Sequence, residues 1–245
     1  MKRYAIYGKG GIGKSTITCS LSAALAQKGY KVLQIGCDPK ADSTASLLGG
    51  RSLTPITEYL RQNDELPSLK DIIVQGYGGV YCAEAGGPTP GIGCAGRGIL
   101  MAFHLLDELE AIQMIQPDYV LYDVLGDVVC GGFAAPIRDS YADEVIIVTS
   151  GEKMSLFAAN NIFQAVENFK EQNYAQVRGV ILNKRNVPNE ESLVGEFLNA
   201  SGLSLLGVIP RDNTIPFYEN KNQTVIEGDS TLPVAKKIIS IAEKL

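Results

Sequence analysis

Two hydrophobic periods alternate along this chain, and their alternation predicts a layered α/β fold. Short apolar runs of strand length fall at residues 3–7, 31–36, 79–83, 119–123, 144–149, 177–183 and 205–209. Between them, residues 14–28, 99–113, 155–170, 190–199 and 233–245 carry apolar side chains at helical spacing. In the first of these helices Ile17, Leu21, Ala24, Leu25 and Lys28 share a face, and Gly29 follows as the residue that ends it. A shorter helix opens at Thr54-Pro55 and runs to about Arg61, before a loop over residues 63–68. Repeated strand–helix alternation implies a mainly parallel, twisted sheet of about seven or eight strands flanked by helices. Neither a repeat nor a linker divides residues 1–245, which are expected to form one domain. In the last helix Val234, Ile238, Ile241, Ala242 and Leu245 make one stripe; with few cations and no bulky aromatic beside it, core packing is expected rather than a membrane surface.

Composition narrows the function classes. With 245 residues, 45% of them hydrophobic, the chain can bury a sizeable core. The net charge is -5 and no Lys/Arg block stands out, which argues against nucleic acid as a partner. No apolar run approaches the ~20 residues that span a bilayer. Met1-Lys2-Arg3 leads directly into the first strand, so no leader peptide is read and a cytoplasmic location is the expectation. The cysteines number five, an odd count with no C-x-x-C among them, which speaks against a disulfide framework or a zinc ribbon.

The stretch Gly8-Lys9-Gly10-Gly11-Ile12-Gly13-Lys14-Ser15-Thr16 changes the picture most. It fits G-x-x-x-x-G-K-[ST] and sits between a strand and a helix, the context of a phosphate-binding P-loop. Its glycines let successive backbone N–H groups turn onto phosphate oxygens at a helix N-terminus. Lys14 would neutralise the β- and γ-phosphates and Ser15 would ligate Mg²⁺. Lys9 adds a charge that an ordinary P-loop does not need; it can reach a nucleotide held by a neighbouring subunit, as an arginine finger does. Asp38 and Asp42, in the polar loop after the second strand, suit a segment that senses phosphate at the C-terminal edge of a sheet. Tyr119-Val120-Leu121-Tyr122-Asp123 is an apolar strand ending in an acid, the Walker B form, with Asp123 placed to organise Mg²⁺.

Two cysteines differ from the rest. Cys94 lies between Gly93 and Ala95-Gly96, and Cys130 precedes Gly131-Gly132, each in a Gly-rich loop after a strand. Glycine flanks expose backbone N–H groups to sulfur, and a [4Fe–4S] cluster typically takes four thiolates. One chain offers two; a C₂ dimer would offer four around its axis. The alternative is a pair of buried, inert thiols in tight turns. Asp127, between Asp123 and Cys130, would let phosphate state move the cluster loop, as in other γ-phosphate-ordered switches. Cys19, inside a helix, is expected to pack as a small apolar residue, and His104 to lie on the surface without a metal role.

Taken together these motifs resemble the nitrogenase iron protein family, over essentially the whole chain. The most specific stretches are Gly36 to Thr44, Gly91 to Gly98 and Asp123 to Phe133. The P-loop itself resembles the deviant Walker A form of dimeric ATPases. The resemblance implies a P-loop NTPase fold and an ATP-hydrolysing, electron-transferring homodimer. It also implies one [4Fe–4S] cluster held by Cys94 and Cys130 of both subunits, and MgATP or MgADP in each. Lys9 would be the lysine acting in trans, Asp38 and Asp42 switch I, and Asp123 and Asp127 switch II. Asn183 and Pro210, Arg211 and Asp212 fall where the family holds the adenine. Arg97 matches the docking-surface arginine that some members have ADP-ribosylated. A larger nitrogenase-like metalloprotein would accept the electron, and a ferredoxin or flavodoxin would supply it. The chain departs from the family at Tyr141, where a lysine is usual, and at Leu109, which interrupts the acidic run after Asp107-Glu108. Pro216 stands in place of a nucleotide-contacting glutamine, and the sequence stops at Leu245, short of where the resemblance would place the C-terminal extension of many members. These departures leave the nucleotide and cluster motifs intact and alter the surface a partner would meet. An Mrp-type Fe–S carrier is the alternative, but those proteins resemble C-x-x-C carriers and this chain has none. A partition-type ATPase would need a basic surface or a membrane helix.

Overall fold

A computed structural model describes residues 1–88, 95–126, 134–168 and 174–245. Its centre is an eight-stranded sheet ordered β3-β4-β2-β5-β1-β6-β7-β8. The strands are β1 (Lys2–Tyr7), β2 (Val32–Cys37), β3 (Ile73–Gln75), β4 (Tyr81–Glu84), β5 (Tyr119–Val124), β6 (Glu144–Thr149), β7 (Gln176–Asn183) and β8 (Leu205–Ile209). All neighbours pair in parallel except β3 and β4. The alternation of the sequence therefore reads through to the architecture; the three-residue antiparallel edge strand β3 was not expected.

Period-two burial assigns the two faces. Ala5 and Tyr7, Val120, Tyr122 and Val124, and Val145 and Ile147 enter one apolar layer with Ile99, Phe103, Leu106, Ile162 and Val166. Tyr4 and Ile6, Leu121, and Ile146 and Val148 enter the other, with Ile17, Leu21, Leu25, Ile238 and Ile241. Both faces are covered, which is what an all-but-parallel sheet requires.

Helix Lys14–Gln27 is buried almost all round, from Ile17 through Leu25, because helix Pro233–Ala242 covers the side that does not meet the sheet. The expected single apolar face is thus too narrow a reading. Gly29 does end it, at φ 87° with its N–H on Ala26 O. The last helix packs Val234, Ala235, Ile238, Ile241 and Ala242 into the core, as its stripe predicts. The helix expected over 99–113 is two pieces, Ala95–Glu108 and Ala111–Ile115. Glu110 takes φ 50° between them and re-aims the chain so that Ala111 and Ile115 reach the same layer as Phe103.

Candidate functional site

Strand order carries the site. Register aligns Glu84, Gly36, Asp123 and Ile6 across β4, β2, β5 and β1, so the segments leaving these strands emerge side by side at their C-terminal ends. In a parallel sheet this edge, where the strand order reverses, is where ligands bind. The P-loop leaves β1 at Gly8, whose φ of 152° and approach to Val148 O leave no room for a Cβ, which would lie 2.2 Å away. Gly11 and Gly13 also take positive φ, 74° and 97°, so the loop folds over the N-terminus of helix Lys14–Gln27.

A cavity of about 370 Å³ opens there, lined by Gly10, Gly11, Gly13, Lys14, Ser15, Thr16, Asp38, Lys40, Asp42 and Asp123 among others. A second, of about 140 Å³, is lined by Asn183, Arg185, Pro210, Arg211, Asp212, Pro216 and Glu219 and shares Gly13 and Thr16 with the first. Both cavities therefore border the start of the P-loop helix. Asn183 donates to Ile12 O at 2.7 Å and Arg185 Nη2 to Gly11 O at 2.7 Å, so side chains lining the second cavity buttress the loop. Thr16 Oγ1 donates to Glu219. Asp212 Oδ1 accepts from Thr214 N at 2.8 Å and Thr214 Oγ1 at 2.6 Å, which pulls its carboxyl below the ordinary range. Ile12 is buried and packs beneath the loop.

Asp123 is almost fully buried and its Oδ1 has no hydrogen-bond partner. Burial pushes its carboxyl up to about 6, against the pull of the Ser15 and Ser43 hydroxyls and the Lys14 ammonium. An orphaned carboxylate oxygen beside a serine hydroxyl, at the foot of an anion-binding loop, fits a hard cation with oxygen ligands. Lys14 Nζ reaches back to Lys9 O at 3.2 Å. Lys9 does not line the phosphate cavity; it borders a cleft of about 690 Å³ with Gly10, Gly126 and the exposed Met154 and Phe157 of helix Lys153–Glu167, and a smaller one with Gly11, Glu152 and Arg185.

Asp127, Cys94 and Cys130 lie outside the described residues. The other three cysteines are poor ligand candidates. Cys19, Cys37 and Cys82 are all buried, and burial raises their thiols, Cys82 to about 12 and the others well above the ordinary value. Thiolate is the ligating form, and none of these three thiols gives up its proton readily. Arg97 is exposed in the first turn of helix Ala95–Glu108, and His104 is exposed further along it. Tyr141 donates to Asp107 Oδ2 at 2.8 Å, so two positions near the family departures touch each other on this face. The approach to the first cysteine loop is anchored: Thr57 Oγ1 and Arg61 Nη1 both donate to Gly87 O, at 3.1 and 2.7 Å.

Sequence reasoning missed Glu84, Arg185 and Glu219. Glu84 carries the same signal as Asp123, an acid at the end of an apolar strand, but lies one residue beyond the apolar run at 79–83. Arg185 and Glu219 carry no local signal.

Comparison with known proteins agrees with this geometry. The family described as 4Fe-4S iron sulfur cluster binding proteins, NifH/frxC family, matches residues 2–245. A nitrogenase iron protein of Methanospirillum hungatei is 50% identical over 249 residues, covering 100% of this chain and 88% of that protein. Nitrogenase iron protein 2 of Paenibacillus durus is 44% identical, covering 100% of this chain and 84% of that one. Among solved structures, the MinD cell division protein of Aquifex aeolicus superimposes with a TM-score of 0.75 at 22% identity, covering 100% of this chain and 96% of that chain, a likeness of fold.

Proposed function

Since the chain belongs to the NifH/frxC family of 4Fe-4S iron-sulfur cluster binding proteins, we propose that it is the ATP-dependent reductase component of a nitrogenase-like system. In this reading two copies share one [4Fe–4S] cluster, each binds MgATP, and the dimer delivers electrons to a larger metalloprotein. A ferredoxin or flavodoxin reloads it. One observation carries the reading: a buried Asp123 with an unpaired oxygen beneath a complete P-loop, in a chain matched over residues 2–245 by a cluster-binding family.

The chain's own residues divide the work. Gly8 to Thr16 cradle the phosphates through backbone N–H groups, and Lys14 neutralises their charge. Ser15 and Asp123 hold Mg²⁺, while Asn183 and Pro210 to Asp212 enclose the base. Asp38 and Asp42 report phosphate state from one side of the cavity, and Asp127 from the other. Lys9, which is not among the residues lining its own phosphate cavity, serves the nucleotide of the second subunit, which would close over the cleft beside Met154 and Phe157. Cys94 and Cys130 of both subunits hold the cluster, which supplies a low-potential one-electron couple when bound. Arg97, exposed on the helix that follows Cys94, meets the electron-accepting partner.

The test is anaerobic purification followed by iron analysis, chelation and partner capture. Iron near four per dimer, and chelation at different rates in MgATP and MgADP, is expected. An iron-free protein, or equal rates with both nucleotides, would overturn the reading.

A further inference from the structure

We infer that Glu84 is a positioning residue for the nucleotide switch, clamping the far end of the Asp38–Ser43 segment to the sheet through Thr44. The inference rests on the reading above, in which Asp38 and Asp42 sense phosphate. Glu84 ends β4 and is 1% exposed. Its Oε1 accepts both from Thr44 N and from Thr44 Oγ1, each at 2.7 Å, and its Oε2 has no partner. A carboxyl group is costly to bury with an oxygen unsatisfied, so a purely structural site would favour an apolar side chain. The fold instead makes room for it. A Cβ on Gly36 would lie 1.9 Å from Glu84 Oε2, so the neighbouring strand gives up its side chain at this point.

Other side chains hold the residue before Thr44. Cys19 Sγ donates to Ser43 O at 2.9 Å, and Gln34 Nε2 to the same oxygen at 3.1 Å. Gln34 is itself fixed by Ser22 Oγ at 2.7 Å. Residues 43–44 are thus pinned from the P-loop helix, from β2 and from β4. Upstream the segment is a tight turn: Ala41 takes φ 53° and donates to Asp38 O at 3.0 Å, while Asp42 is exposed into the phosphate cavity. A strained turn between two fixed ends can report a phosphate only if its far end stays put, and Glu84 supplies that anchor. Burial lifts the Glu84 carboxyl to about 8, which favours the uncharged acid near neutral pH. Glutamine is therefore the matching substitute, since its amide oxygen accepts the same two bonds.

The experiment is amide hydrogen exchange on the anaerobically purified protein, with and without MgATP, for wild type, Glu84→Ala, Glu84→Gln and Thr44→Val. In Glu84→Ala, exchange at residues 38–44 is expected to rise at least about tenfold, the scale of losing hydrogen bonds to a buried group. Protection of that segment by MgATP disappears while protection of residues 8–16 persists. Glu84→Gln stays within about threefold of wild type on the same reasoning. Thr44→Val gives a smaller rise confined to the same segment, and reads the contact even where Glu84→Ala does not fold. Unchanged exchange at Thr44 in Glu84→Ala overturns the inference, as does a rise spread equally over β1 and β5. Absence of MgATP protection anywhere in wild type overturns the proposed function instead, and the nucleotide-free comparison at Thr44 still decides the clamp.

Discussion

Replacing Gly126 by alanine is expected to damage both stability and nucleotide binding, because this glycine is where the segment after Asp123 rests on the P-loop. A Cβ there would lie 2.4 Å from Gly8 O, 2.7 Å from Gly10 N and 2.9 Å from Lys9 C. All three are main-chain atoms, so no rotamer change relieves the clash, and the backbones must part by roughly 1 Å to restore ordinary contact. Overpacking of this kind costs about 1–3 kcal/mol. For a chain of this length that lowers Tm by roughly 3–10 °C. Displacing Gly10 N would also spoil a donor that the proposed function gives to phosphate, and a bond to a charged group is worth about 1.5–3 kcal/mol, so the Kd for MgATP should rise roughly 10- to 100-fold. Gly195→Ala is the control: nothing lies within 4 Å of a Cβ at that helical position, and a gain of about 0.5–1 kcal/mol is expected. Thermal unfolding and calorimetric titration of the three proteins decide the matter. Gly126→Ala with wild-type Tm and wild-type Kd would refute the contact argument.

Cys94→Ser and Cys130→Ser should each abolish cluster iron, whereas Cys19→Ser and Cys82→Ser retain it; a full iron complement in Cys130→Ser, measured per dimer, contradicts the shared-ligand assignment. Lys9→Ala should still bind MgATP in a titration but lose hydrolysis and nucleotide-dependent closure, since Lys9 does not line its own phosphate cavity; hydrolysis at the wild-type rate removes the trans role. Glu84 is raised in the folded state, to about 8 from 4.5, so the folded chain holds its proton more tightly than the unfolded one. Its stabilising contribution is then complete below about pH 4.5 and is lost as pH climbs through 8, and at about 1.4 kcal/mol per pKa unit the loss is on the order of 3–5 kcal/mol. Denaturant unfolding at pH 5.5 and 8.5 should show Glu84→Gln overtaking wild type at the higher pH, and parallel curves would remove the buried acid from the account.

What the sequence disclosed depended on how local each signal was. The P-loop was legible because its glycines, Lys14 and Ser15 are contiguous, and the strand–loop–helix context follows from a few neighbouring residues. Asp123 was legible as the acid closing an apolar strand. Glu84 closes β4 in the same way, but its meaning depends on β4 lying beside β2 and β2 beside β5, a strand order no periodicity reveals. Arg185 and Glu219 reach the loop from distant segments, through Gly11 O and Thr16. The break at Glu110 had no glycine or proline to announce it; tertiary packing of Ala111 and Ile115 outweighs local helix preference there. Cys19 was read as a small packed residue, and it is buried, yet its thiol also donates to Ser43 O.

Two glycines explain how such a site can couple its parts without a long chain of contacts. Gly36 lies in register with both Glu84 and Asp123, and its missing side chain leaves room for the Glu84 carboxyl beside Ser43. Gly126 removes a side chain between the P-loop and the segment following β5, bringing main chain against main chain. Close-packed backbones transmit displacement poorly through compression and well through rigid movement, because they have no soft side chain to absorb it. A shift of the P-loop on binding phosphate is therefore expected to move Gly126 with it. On the other flank, Asp42 can follow the phosphate only by pivoting on the anchored Ser43–Thr44 pair. In the proposed function one flank would move with the loop and the other would turn about a fixed point, which would give the output stroke to the segment after Asp123, where Gly126 meets the P-loop.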